Sequence, residues 1–206
     1  MNRNRSIPVK IPEYRISYQD EDAVDKLHQH VITLFPHMPR EYIVVCIGTD
    51  RSTGDSLGPL TGSLFTEKRP RHIKIYGTLH DPVHAVNLKD HLSKIAKNHR
   101  NPFIIAVDAC LGKTAMIGSL ITGTGPIQPG AALKKDLPRV GDIHITGVVN
   151  MSGFMEHATL QNTRLSIVMD MAQKIAALLD TLDQQLSASF IRPAVLNKNS
   201  PKKSLI

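Results

Sequence analysis

Apolar residues recur along this chain in two alternating rhythms. Val24, Leu27, Val31 and Leu34 stand three or four residues apart, the spacing of one helix face. Asp20, Glu21 and Asp22 favour the N-terminal turn of that helix, and Pro36 and Pro39 stop it. Tyr42–Ile47 (YIVVCI) is a short, unbroken apolar run rich in β-branched residues, as expected of a strand buried on both faces. Gly48–Gly54 (GTDRSTG) reads as a turn-rich loop. Asp55 can cap the helix that follows, which carries Leu57, Leu60, Leu64 and Phe65. Ile73–Tyr76 predicts a second strand, and Val83–Asn98 a helix with Val86, Leu92 and Ile95 inward. Phe103–Val107 (FIIAV) is another fully apolar strand that ends at Asp108. Ser119–Thr122 and Ile143–Val149 predict two more. Asn162–Gln185 predicts the longest helix, with Leu165, Val168, Met169, Ala172, Ile175, Ala176, Leu179 and Leu182 on one stripe.

Apolar strands alternating with helices imply an α/β fold, a three-layer α/β/α sandwich around a mostly parallel sheet, phosphorylase/hydrolase-like. The predicted organisation is an N-terminal arm (residues 1–20), one α/β domain (21–187) and a basic C-terminal tail (188–206). No repeat interrupts it.

Composition narrows the class. Aromatic residues are 4% of the chain and Trp is absent, so Ile, Val, Leu, Ala and Met must build the core. No apolar run nears the ~20 residues of a membrane helix, and Met1–Asp20 lacks the pattern of a secretory leader. Two Cys in 206 residues do not make a disulfide framework, which favours reduced thiols in a cytoplasmic compartment. Of the formal charge of +7, Arg192–Ile206 carries four and Met1–Asp20 a net two, leaving one for the body. Charge held in terminal segments marks solvated tails rather than a nucleic-acid face.

In parallel sheets, chemistry gathers at the carboxyl ends of the strands. Asp55 and Asp108 belong there, at the same sheet edge if their strands run parallel. Two buried acids within reach of each other resist joint ionisation and share a proton, which provides a general base and a general acid near neutrality. On the residues alone, Asp55 is equally well a helix cap, and Asp108 a carboxylate that ties down backbone N–H groups. Gly48, Thr49, Asp50 and Gly54 in the first loop, with Pro129 and Gly130 in a later one, are expected to line the substrate cleft.

Other constellations are weaker. Gly112-Lys113-Thr114 ends like a phosphate-binding loop, but Val107 stands where the first Gly is required. Cys110 has no His fixed beside it by sequence and reads as a structural thiol, as does Cys46 in its strand. His80, Asp81 and His84 resemble a metal cluster only if Pro82 falls in the first turn of a helix. His157 follows Glu156 in a predicted loop, Met151–Leu160, and is placed at the rim of the site or at the surface.

Three segments carry a resemblance. Val44–Pro59 (VVCIGTDRSTGDSLGP), Ile104–Ala109 (IIAVDA) and Ile121–Lys135 (ITGTGPIQPGAALKK) are similar, in order and spacing, to motifs of the germination protease of spore-forming bacteria. From Tyr42 to Leu182 the chain more closely resembles the shorter YyaC-type sporulation proteins. More distantly it resembles hydrogenase maturation endopeptidases. The first resemblance implies an aspartic-type endopeptidase acting on small acid-soluble spore proteins, with Asp55 and Asp108 at the catalytic positions. The last implies metal-binding acids at those positions and a third ligand, His, which Gly125–Ala132 (GPIQPGAA) lacks. His144 would serve only if it pointed the right way.

The expectation is therefore a sporulation-associated, endopeptidase-like hydrolase with an aspartate pair and neither metal nor cofactor, in the cytoplasm of a forespore or the spore core. Its expected partner is a protein or peptide substrate, with a homo-oligomer admissible and neither nucleic acid nor membrane. The alternatives are a non-catalytic sporulation protein that uses the fold to bind a peptide or partner, and a metal-dependent maturation protease.

Overall fold

The computed structural model describes residues 12–36, 38, 40–130 and 137–191. Residues 1–11 of the expected arm, the basic tail from Arg192 and part of the third resemblance motif (131–136) lie outside the described residues.

Among the described residues six strands form one mixed sheet: β1 (Tyr14–Ser17), β2 (Tyr42–Cys46), β3 (Ile73–Tyr76), β4 (Phe103–Gly112), β5 (Ser119–Thr124) and β6 (Ile143–Met151). Their order across the sheet is β1-β5-β6-β4-β2-β3. β3, β2, β4 and β6 are mutually parallel, and β5 runs antiparallel to both β6 and β1. Among the described residues five α-helices accompany them: α1 (Ala23–Thr33), α2 (Leu57–Glu67), α3 (Leu88–Asn98), α4 (Glu156–Gln161) and α5 (Leu165–Ile191). The predicted three-layer architecture is therefore the observed one, with helices on both sheet faces.

Packing explains the layers. All five residues of β2 are buried, because a central parallel strand has helices above and below. Alternate residues Val44, Cys46, Ile105, Val107 and Ile145 join Leu27, Leu57, Phe65, Val168, Ile175 and Leu179 in the larger core, beneath α1, α2 and α5. Ile43, Val45, Ile47 and Ala106 face the other way and pack with Leu88 and Ile95 of α3. Asp183 of α5 secures a sheet margin. Its carboxylate accepts the N–H groups of Arg71, His72 and Ile73 at 2.9, 2.8 and 2.7 Å, so the backbone donors that lead into β3 are satisfied by a helix.

Several predicted boundaries move. The stretch expected as an arm contains β1, whose residues pair with β5 and bury Ile16. The helix predicted from Val83 begins at Leu88 instead. Val83 forms a parallel bridge to Ile47, and Asn87 ties the turn by accepting the His84 N–H and donating to the Pro82 carbonyl. Burial of Val83 in the core overrides helix periodicity there, and Val86 is exposed rather than inward. The predicted 162–185 helix begins at Leu165, whose side chain is exposed, and extends to Ile191. The second half of the loop expected at Met151–Leu160 is α4, and Met151 ends β6.

Asp183→Ala leaves three backbone donors without their acceptor. Urea denaturation is expected to show a loss of about 2–4 kcal/mol, and Asp183→Asn a smaller one because Oδ1 remains.

Candidate active site

β2 and β4 lie side by side, Tyr42 opposite Phe103 and Cys46 opposite Val107. After β2 the chain moves outward to β3; after β4 it moves to the opposite side, to β6 and β5. Their carboxyl ends therefore flank a topological switch point, where parallel sheets open a crevice.

The first acid reaches that crevice through a folded-back loop. The Ile47 N–H bonds the Val107 carbonyl at 2.7 Å, and the Gly48 N–H the Val83 carbonyl at 2.8 Å. Gly48 has φ +141°, and a Cβ there would lie 1.9 Å from the Asp55 carbonyl oxygen, so only glycine permits the fold-back. The Thr49 N–H then bonds that same Asp55 carbonyl at 3.0 Å. Asp55 sits in a 3-10 turn, Gly54–Ser56, that leads into α2. Neither the turn nor α2 has a side-chain cap, so helix capping does not account for Asp55.

The second acid lies within its strand. β4 does not end at Asp108 as the apolar run suggested; it continues to Gly112 against β6, with Asp108 opposite Thr146. Asp108 is buried and accepts the Ala109 N–H through Oδ1 at 2.8 Å. Both carboxyls line one cavity of about 530 Å³, with Cys110, Gln128, Thr146 and Glu156 among its walls. A second cavity of about 300 Å³ meets the first at Asp55 and is lined also by Arg51, His84 and His157.

The two acids are unequal. Burial, then the Asp55 charge, pushes Asp108 well above the usual carboxylate range, against the opposing hydrogen bond from Ala109. Burial also raises Asp55, and the Thr49 N–H, His157 and His84 pull against it. Such an arrangement keeps a proton on Asp108 while Asp55 ionises, which separates an acid from a base. Burial pushes the thiol of Cys110, also in the cavity wall, up to about 11. Cys46 is buried in the core, as expected.

The remaining expected contacts divide. Gly130 lines the larger cavity and Thr49 the smaller. Asp50 is exposed and Pro129 buried, and neither borders these two cavities. Gly48 and Gly54 are buried packing elements, correcting the expectation that they meet substrate. A Cβ on Gly54 would lie 2.8 Å from the Thr163 hydroxyl. His80 is exposed while His84 borders the smaller cavity, so HDPVH forms no ligand cluster. His144 turns its Nδ1 to the Gly125 carbonyl at 3.0 Å and its Nε2 toward Glu13 at 3.8 Å, away from the acids. Among the described residues no three His, Cys, Asp or Glu side chains lie close enough to share a cation. The maturation-protease ligand set thus does not fit this site.

Two contributors left little trace in the sequence. Thr146 is identified only by its register opposite Asp108. α4 forms a ridge beside Asp55: Glu156 and Leu160 face the larger cavity, His157 and Gln161 the smaller. Asn150 of β6 holds this helix by donating to the Thr159 carbonyl and the Thr163 hydroxyl, each at 3.2 Å.

Comparison with known proteins places this geometry in context. The model of a family described as "Protein of unknown function (DUF1256)" matches residues 15–178. The chain belongs to this family. It is 58% identical to the Bacillus subtilis protein YyaC over 142 residues, 69% of each chain. Among solved structures it is similar to the nickel–iron hydrogenase maturation protease HycI from Thermococcus kodakarensis, with a TM-score of 0.52 and 18% identity over 75% of this chain and 99% of that one. That likeness shows a shared α/β fold.

The buried acid carries a stability cost. The folded-state value of Asp108 lies above its unfolded value, so its contribution favours the fold below the ordinary carboxylate range and is lost as pH rises toward the raised value. Asp108→Asn is therefore expected to raise the thermal midpoint at pH 7, with the gain shrinking toward zero near pH 3. Calorimetry at the two pH values checks this.

Proposed function

We propose that the chain is an endopeptidase-like hydrolase in which Asp55 and Asp108 activate water. The observation that carries this reading is the meeting, in one cavity, of two acids far apart in sequence, each held above the usual carboxylate range. Asp55, ionised, takes a proton from water as the water oxygen attacks the scissile carbonyl carbon. Asp108 gives its proton to the carbonyl oxygen. As the tetrahedral species collapses, the C–N bond breaks, the proton held by Asp55 passes to the leaving nitrogen and Asp108 recovers its own.

The substrate we propose is protein or peptide. The motif resemblance to the germination protease favours small acid-soluble spore proteins, and with them a sporulating cell and the forespore or spore-core cytoplasm. Among the described residues no helix is long and apolar enough to cross a membrane. A second reading, a non-catalytic module that binds a partner segment, draws on the exposed Phe154 and Met155 beside the cavities.

The purified chain is to be assayed against small acid-soluble spore proteins, with folding followed by circular dichroism. Asp55→Asn and Asp108→Asn are each expected to lower kcat about 10²–10⁴-fold with the fold intact. The pH profile of the wild type is expected to be a bell. Its acid limb, Asp55 ionising, lies above the ordinary carboxylate range, and its alkaline limb is Asp108 losing its proton. Cleavage that survives both substitutions removes the hydrolase reading; binding without cleavage at any pH supports the second.

A further inference from the structure

β4 changes character at Asp108. Up to Val107 it lies between β2 and β6. β2 stops at Cys46, opposite Val107; the last link is the Ile47 N–H to the Val107 carbonyl, and Gly48 then leads the chain toward Val83. From Asp108 to Gly112, among the described residues, only β6 accompanies β4. In a parallel ladder the N–H and C=O of one residue face the same neighbour, and those of the next residue face the opposite one. The Val107 carbonyl faces β2, and the Gly112 carbonyl faces the other flank, where the Ser152 N–H bonds it at 2.8 Å. Ala109 and Leu111 therefore turn their backbone groups toward the flank that β2 vacates.

Burial agrees with this. Ile105 to Asp108 are all buried, and Ala109 to Gly112 are all half-buried, without the alternation of a strand covered on one face. Asp108, Ala109, Cys110 and Leu111 all border the larger cavity, although successive side chains leave opposite faces. Residues of both faces border one space only along the edge of a strand.

We propose that this open edge is a strand-addition site for an extended polypeptide segment, which pairs with Ala109 and Leu111 and so runs across the Asp55–Asp108 pair. The inference rests on the reading of the cleft as a polypeptide site. An unpaired edge is a template for another chain, and strand addition supplies main-chain hydrogen bonds independent of side-chain identity. A cavity of about 530 Å³ is of the size that holds a compact ligand. The Ala109 N–H, now bonded to Asp108 Oδ1, is the donor that a substrate carbonyl would take over. Losing that bond removes the contact that favours the charged form of Asp108, so docking helps the acid keep its proton. A helical segment has its own backbone groups paired and would find no partner here, so the occupant is an unfolded stretch or a chain terminus.

The test uses the full chain carrying Asp55→Asn, to suppress turnover, and an immobilised library of hexapeptides capped at both ends. For the tightest hexapeptide, each backbone N–H is replaced in turn by N-methyl. Methylation at alternate residues is expected to weaken binding tenfold or more and between them less than about threefold. Hydrogen exchange at Ala109 and Leu111 is expected to slow when the peptide is present. No binder in the library, a scan without alternation, or protection confined to other residues overturns the proposal. Alternation and protection without cleavage by the wild type uphold strand addition and remove the hydrolase; cleavage with a flat scan does the reverse.

Discussion

The chemistry of this molecule depends on one hydrogen bond, from the Ile47 N–H to the Val107 carbonyl, because it is the last that β2 makes with β4. One residue further along β4 is Asp108. Had β2 continued, its next residues would have covered the flank of β4 on which the cavity opens. Instead Gly48 leaves the sheet in a conformation closed to other residues, and the loop returns with Asp55 beside the gap. A single departure of the chain thus creates the cleft and delivers the first acid to it.

The electrostatic consequence follows from burial. A carboxyl at the end of a central strand loses its hydration, and a second one nearby adds repulsion. The resulting cost is tolerated because the strands beneath are locked between two apolar layers. Asymmetry between the acids arises from their surroundings. Asp55 shares its cavity with Arg51, His84 and His157, whereas Asp108 is deeper and has the Asp55 charge as its neighbour. Separation of the two carboxyls into base and acid is thus a property of the walls, not of the residue type.

α4 links these walls to the sheet. Asn150 anchors the helix to the end of β6, and Thr163 beyond it abuts Gly54, next to Asp55. The ridge between the two cavities and the turn that carries Asp55 are therefore held by neighbouring contacts. The exposed apolar residues Met151, Phe154 and Met155 precede this ridge in the chain.

Reading the chain as sequence, apolar runs such as YIVVCI and FIIAV specified buried parallel strands, and helix periodicity specified the covering layers, because these signals depend on residues a few positions apart. The placement of both acids near the carboxyl end of β2 was legible for the same reason: Asp108 directly follows an apolar run and Asp55 follows one through a glycine loop, although β4 itself runs on past Asp108. What lay beyond reach was everything decided between distant segments. Burial of Val83 against Ile47 broke a helix that periodicity favoured. β6 prolonged β4 past Asp108, and β5 captured a strand from the expected arm. Register alone set Thr146 opposite Asp108, and α4 brought His157 to Asp55. Local composition determines which elements form and which face they bury; only tertiary packing decides where one strand outlasts its neighbour, and the open flank left there is where the acids meet.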